Sequence, residues 1–299
     1  MRCVGIDLGG TAIKAGAVSS DGRVLERRSA PTGLERGERH VLDTIANLAR
    51  ELGVEGGLGL GVPGLIDRER GCITACPNLK AMERVPLRSE LAKRLGLAPE
   101  RVLLENDANA AAAGEHWLGT GRGERDLLFV TLGTGVGGGL ILDGRLYAGP
   151  GGLAGEIGHV VVEPEGLLCG CGARGCVETL ASATAAARRA RELGLPRGAP
   201  GDLVELARRA REVDAEERAL LQAVGRDLGR ALATVVSLLD VRTFVLGGGF
   251  GAATDVLAPG VLAGIRERSY GDRLANLRVL PAALGADAGW IGAARPLAR

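Results

Sequence analysis

The sequence predicts a mixed α/β protein built from two related units, and three observations carry the prediction. A short apolar run, a glycine turn, a second apolar run and an Asp-Gly hairpin turn follow one another near Val4 and again near Leu127. Apolar residues at Val41, Leu42, Ile45, Leu48, Ala49 and Leu52 keep helical spacing among these strand-like runs. A length of 299 residues with 46% hydrophobic content is enough for two packed cores.

Val4 to Leu8 reads as a strand ending at Gly9-Gly10-Thr11, and Ile13 to Val18 as a second strand before the Asp21-Gly22 turn and Val24-Leu25. After the helix through Val41, a strand over Leu58 to Val62 is halted by Pro63-Gly64, a helix spans Leu87 to Leu95, and Val102 to Leu104 is another buried strand. The second unit repeats the order: Leu127 to Leu132, Gly133-Thr134-Gly135, Val136 to Leu142, then Asp143-Gly144-Arg145. Helices are expected over Val177 to Leu193, Leu203 to Val213 and Glu216 to Leu239. A strand over Thr243 to Leu246 opens on Gly247-Gly248-Gly249, and a last strand lies near Leu277 to Leu280. The expected division is a smaller domain over 1–116 and a larger one over 117–287, with a terminal helix around 288–299 that can pack back on the first.

A net charge of +1 and dispersed charged residues, 24% of the chain, make nucleic acid an unexpected partner. No apolar run reaches the roughly 20 residues of a membrane span, and Met1 leads at once into Val4-Gly5-Ile6-Asp7 without a charged-then-apolar leader, so the expected location is the cytoplasm. Positive charge is nearly all arginine, with lysine only at Lys14, Lys80 and Lys93, a bias that fits a GC-rich genome and a heat-adapted source. In a reducing compartment clustered thiols point to metal rather than disulfides, and Cys3, Cys72 and Cys76 read as bystanders.

The clustered thiols are Cys169, Cys171 and Cys176, and His159 lies just upstream. One imidazole and three sulfurs close a structural Zn²⁺ tetrahedron and leave no open position for catalysis. Glu156 and Glu178 flank this set, polar groups on a pinned frame that suit a polyhydroxylated ligand. Asp7-Leu8-Gly9-Gly10-Thr11, with Lys14 beyond, places a carboxylate able to hold Mg²⁺ through water beside a turn whose N–H groups can meet an anion; a plain glycine hairpin explains the same segment equally well. Gly133-Thr134-Gly135 is a second such turn, and the two can grip one polyphosphate. Glu105-Asn106-Asp107-Ala108-Asn109 sets polar groups where a strand gives way to a helix. There Asp107 is a candidate general base favoured as an anion by the helix dipole, and either Asn106 or Asp107 is a candidate cap.

Taken together and in this order, these motifs resemble the ROK family of bacterial sugar kinases and sugar-responsive repressors, and within it the glucokinases most of all. The resemblance implies the actin-like ATPase fold, with two ribonuclease-H-like α/β domains closing on a cleft. It implies ATP and Mg²⁺ as catalytic partners, Zn²⁺ as a structural ion, and a homodimer or homotetramer. Phosphate turns fall on Gly9, Gly10 and Thr11 with Lys14, and on Gly133, Thr134 and Gly135; Gly247, Gly248 and Gly249 match the adenosine-side turn. Asp107 matches the catalytic base, Asn106, Asp107, Glu156, His159 and Glu178 the sugar-binding residues, and His159, Cys169, Cys171 and Cys176 the zinc ligands. Phe250 stands where relatives often carry an aliphatic residue. The implied reaction is phosphorylation of glucose at C6. Alternatives are N-acetylmannosamine, fructose or mannose as acceptor and polyphosphate as donor. A sugar-sensing repressor fits less well, because the first phosphate strand begins so close to Met1 that no helix-turn-helix precedes it.

Overall fold

A computed structural model of the chain describes residues 2–195, 203–212, 215–270 and 274–298. Val213, the expected end of one helix, and Arg299, the expected end of another, lie outside the described residues. The chain falls into two compact units: residues 1–123, 145–154 and 286–299 form one, and residues 124–144 and 155–285 the other.

The first unit is built on a sheet of β1 (Arg2–Leu8), β2 (Ala12–Ser19), β3 (Val24–Pro31), β4 (Leu58–Val62) and, after the small hairpin of β5 (Leu65–Asp67) and β6 (Cys72–Ala75), β7 (Val102–Asn106). Its order is β3-β2-β1-β4-β7, antiparallel through the first three strands and parallel from β1 to β7. The alternation of large and small residues along β1 and β4 decides what each face can carry. Val4, Ile6, Leu8, Leu58, Leu60 and Val62 are buried in one core with α1 (Glu38–Glu51) and α2 (Leu87–Leu95). The intervening glycines face the other way, against the terminal helix of residues 288–294: a methyl on Gly5 would stand 1.9 Å from Trp290 O, and one on Gly59 1.8 Å from Ala293 O. That helix also meets α3 (Asp107–Leu118) backbone to backbone, since a methyl on Gly292 would stand 1.7 Å from Ala110 O. The alanine run of α3 thus lets two helices come close. Trp290, 1% exposed, fills the space against Gly16.

In the second unit β8 (Leu127–Leu132), β9 (Val136–Leu142), β11 (Thr243–Gly247) and β12 (Arg278–Pro281) lie in the order β9-β8-β11-β12; the short β10 (Arg145–Tyr147) belongs to the segment grouped with the first unit. Strand residues Leu128, Val130, Leu132, Phe244 and Leu246 form one core with apolar faces of the helices that follow. The single helix expected over Val177 to Leu193 is two, α4 (Glu178–Ala181) and α5 (Ala183–Glu192). Ser182 breaks it: its backbone is extended (φ −69°, ψ 164°) and its hydroxyl accepts from Ala185 N–H at 3.1 Å, so a cap replaces a helical turn. After α6 (Leu203–Glu212) comes α7 (Ala215–Leu239), which crosses α8 (Thr254–Arg268) with main chain against main chain. Methyls on Gly225, Gly229, Gly260 and Gly264 would each stand between 2.0 and 2.3 Å from a carbonyl oxygen of the other helix. The terminal helix packed on the first unit is α9 (Ala288–Ala294). Among the described residues no helix is long and apolar enough to cross a membrane.

Candidate active site

In the first unit the functional candidates share one sheet edge. Asp7 is opposite Gly61, Gly61 opposite Glu105 and Val62 opposite Asn106, so the parallel strands β1, β4 and β7 end together. Ligands of open α/β sheets bind at such carboxyl ends. Gly9 N–H closes the Gly9-Gly10-Thr11 turn on Ala12 O at 3.1 Å. Thr32, fully buried, braces the turn from outside: its hydroxyl donates to Gly9 O at 2.6 Å and its N–H to Thr11 O at 2.9 Å. Asp7 is half-buried and Lys14 lies directly opposite it on β2. Burial pushes the Asp7 carboxyl above its ordinary value, and the Lys14 charge draws it partly back. A half-buried carboxylate facing one lysine has the donor chemistry to take a hard cation.

The sequence left the cap of α3 open between Asn106 and Asp107, and the structure gives it to Asn106. Asn106 is the cap of α3: its Oδ1 accepts from Ala108 N–H at 3.0 Å and from Asn109 N–H at 3.1 Å, while its Nδ2 donates to Gly64 O at 3.2 Å. Asp107 is the first helical residue, and Ala108 N–H donates to its Oδ1 at 2.8 Å. Glu105 braces the same turn, accepting from Asn106 N–H at 3.0 Å, Asn109 Nδ2 at 3.2 Å and Arg68 at 2.7 Å.

In the second unit Gly247 is opposite Thr131 on the parallel strand β8, which brings Gly133-Thr134-Gly135 and Gly248-Gly249 to one edge. Gly248 has φ 77°, and a methyl there would stand 2.4 Å from Leu132 O, so only glycine serves. The loop carrying Glu156 and His159 rests directly on β9: a methyl on Gly158 would stand 2.0 Å from Val136 O, and one on Gly138 2.4 Å from Gly155 O. Glu178 reaches the same strand, its Oε2 accepting from Val136 N–H at 3.0 Å.

His159, Cys169, Cys171 and Cys176 converge, all four ligand atoms lying within 4.8 Å of one another. Cys171 Sγ is 3.7 Å from Cys176 Sγ, and Cys169 Sγ is 3.7 Å from His159 Nδ1. Zn–S bonds of about 2.3 Å in a tetrahedron put sulfurs about 3.75 Å apart, so the spacing fits that ion. It is far too long for disulfides, and all three are free thiols. Burial, with the neighbouring thiols, pushes Cys176 up to about 12 and burial raises Cys169, whereas the Ala173 N–H lowers Cys171. With Nδ1 facing the sulfurs, His159 Nε2 is turned outward, 3.9 Å from Glu156 Oε2. That fixes which ring nitrogen remains for a ligand.

Three supporting contacts escape sequence reasoning: Thr32 under the first turn, Thr184 Oγ1 donating to Thr134 O at 2.9 Å under the second, and the Glu178 bond to Val136. Only the hydroxyl-bearing residue type hinted at the first two. A bond spanning 42 residues leaves no local trace.

Comparison with known proteins identifies the family. The chain is 38% identical over 310 aligned residues to a glucokinase of Thermotoga maritima, covering 98% of this chain and 96% of that protein. It superposes on a ROK hexokinase from Thermus thermophilus with a TM-score of 0.83 at 38% identity, covering 99% and 97% of the two chains. A ROK family glucokinase from Streptomyces griseus, in complex with glucose and AMPPNP, matches with a TM-score of 0.81 at 34% identity and 98% coverage of each chain. The ROK family model matches residues 3–298, and the chain therefore belongs to the ROK family, with its two-domain actin-like ATPase sugar kinase fold.

Proposed function

We propose that the chain transfers the γ-phosphoryl group of ATP to the C6 hydroxyl of glucose, with Asp107 as general base. The observation that carries this reading is the placement of Asp107. It is held at a helix N-terminus, on the sheet edge that also bears the Asp7 to Thr11 turn, in a chain closely related to glucokinases. The Ala108 N–H fixes its carboxylate, so it meets the hydroxyl in one orientation and accepts the proton as the oxygen attacks.

Asn106, Asp107, Glu156, His159 and Glu178 hydrogen-bond the sugar. Three of these five are carboxylates, which only accept, so they select a ligand presenting several O–H donors in a fixed pattern. An epimer leaves one of them unpaired at a cost of about 1–3 kcal/mol. Gly9, Gly10, Thr11 and Lys14 with Gly133, Thr134 and Gly135 bind the phosphates, and Gly247, Gly248 and Gly249 the adenosine side. Asp7 holds Mg²⁺ through water; the bound cation supplies neutralisation of charge on the transferring group. His159, Cys169, Cys171 and Cys176 hold Zn²⁺, which shapes the loop. Phosphoryl transfer needs positioning and charge balance more than covalent help from the protein.

The test is turnover across a hexose panel with ATP and polyphosphate compared, on the wild type and on Asp107→Asn. The expected result is a preference for glucose and ATP, with kcat for D107N lower by about 10³-fold and glucose affinity retained. Near-normal turnover by D107N removes the base; turnover confined to N-acetylmannosamine, or to polyphosphate, replaces that substrate.

A further inference from the structure

We propose that Glu178 is a positioning residue for the nucleotide as well as a sugar ligand: a strut that ties the Gly133-Thr134-Gly135 turn to the metal loop, so that nucleotide affinity depends on that loop before any sugar binds. The inference rests on reading this turn as a phosphate site.

The segment that leaves the metal loop is bonded to the turn at three points. Glu178 Oε2 accepts from Val136 N–H at 3.0 Å, the residue directly after the turn. Ala183 N–H donates to Gly133 O at 2.8 Å, and Thr184 Oγ1 to Thr134 O at 2.9 Å. At its other end the strut meets the thiols: Glu178 Oε1 lies 3.6 Å from Cys169 Sγ, and Cys176 is two residues before it. The turn is shaped to receive the strut. A methyl on Gly135 would stand 2.4 Å from Glu178 Oε2, and the atoms nearest it all belong to the Glu178 side chain. That carboxylate therefore fills the space a side chain at 135 would need.

A turn that presents N–H groups to phosphate binds well only if it is already in shape, because ordering it on binding costs affinity. Glu178 supplies that order by occupying Val136 N–H and the volume beside Gly135. Glutamine can keep the same bond through its carbonyl oxygen, whereas alanine cannot.

The test is the affinity for AMPPNP, measured by calorimetry without sugar, on the full chain. E178A is expected to bind about tenfold more weakly, the loss of one ordering hydrogen bond, and E178Q within about twofold of wild type. G135A is expected to weaken binding about as much, through displacement of Glu178, but to add nothing in the E178A background, where its methyl has room. Chelation, with zinc loss checked by elemental analysis, is expected to weaken wild-type binding and leave E178A unchanged. Thr134→Ala separates the two ideas. If T134A weakens binding while E178A leaves it unchanged or tighter, the strut is refuted and the phosphate site stands. If neither variant moves the affinity, the phosphate reading of the turn falls with it. Additive losses in G135A/E178A also overturn the strut.

Discussion

Removing the Asn106 side chain tests whether the head of α3 is held as the structure shows. Its Oδ1 takes two backbone N–H groups at 3.0 and 3.1 Å, and its Nδ2 gives one bond to Gly64 O at 3.2 Å. Loss of an asparagine cap costs about 1 kcal/mol, and loss of a neutral hydrogen bond about another 1 kcal/mol. Asn106→Ala should therefore destabilise the first unit by about 2 kcal/mol, a fall in Tm of about 4–8 °C for a domain of this size. Asn106→Asp keeps a cap acceptor for both N–H groups and places a negative charge at a helix N-terminus, which offsets part of the lost Gly64 bond, so its cost should be about 1 kcal/mol or less. The assay is urea denaturation followed by tryptophan fluorescence. Trp117 and Trp290, the two tryptophans of the sequence, both lie in the first unit, so the signal reports that unit. An N106A variant within about 0.5 kcal/mol of wild type, or N106D less stable than N106A, would refute Asn106 as the cap of α3.

Asp7→Asn should raise stability near neutral pH while abolishing Mg²⁺-dependent turnover. Burial holds the Asp7 carboxyl above its ordinary 3.8 in the folded chain, so on raising the pH the unfolded chain loses its proton first and stability falls across that window. The melting advantage of D7N should therefore be full near neutral pH and shrink as pH falls towards about 4; a gap that widens towards acid contradicts the burial argument. Zinc binding to the metal-free protein should release about two to three protons per ion near neutral pH, read by calorimetry in buffers of different ionisation enthalpy, because Cys176 and Cys169 hold their protons until the ion arrives. Binding without proton release would exclude the thiols as ligands.

Where structure follows from neighbours in sequence, it was legible. The strand–turn–strand repeats rest on apolar runs and on glycine, and the convergence of His159, Cys169, Cys171 and Cys176 on residue type and density. Which of Asn106 and Asp107 caps α3 was not legible, because either side chain can cap and only the folded geometry gives the cap to Asn106. Other features were hidden for physical reasons. Ser182 breaks a helix with no glycine or proline to announce it. The helix Thr254–Arg268, for which the sequence carried no clear expectation, has Pro259 inside it, a residue that usually ends or kinks a helix. Glycines 5, 59, 225 and 260 mark places where two backbones touch, a relation that only the folded chain creates.

The crossing of α7 and α8 has a mechanical consequence. Backbone lies against backbone at the four glycines, while Leu228 and Val261 share one core and Arg226 and Arg230 pair with Glu267, so sliding one helix past the other would break tight main-chain contact, packing and ion pairs together. Even one added carbon at Gly225, Gly229, Gly260 or Gly264 must prise the helices apart, so the seam tolerates no side chain at these four positions.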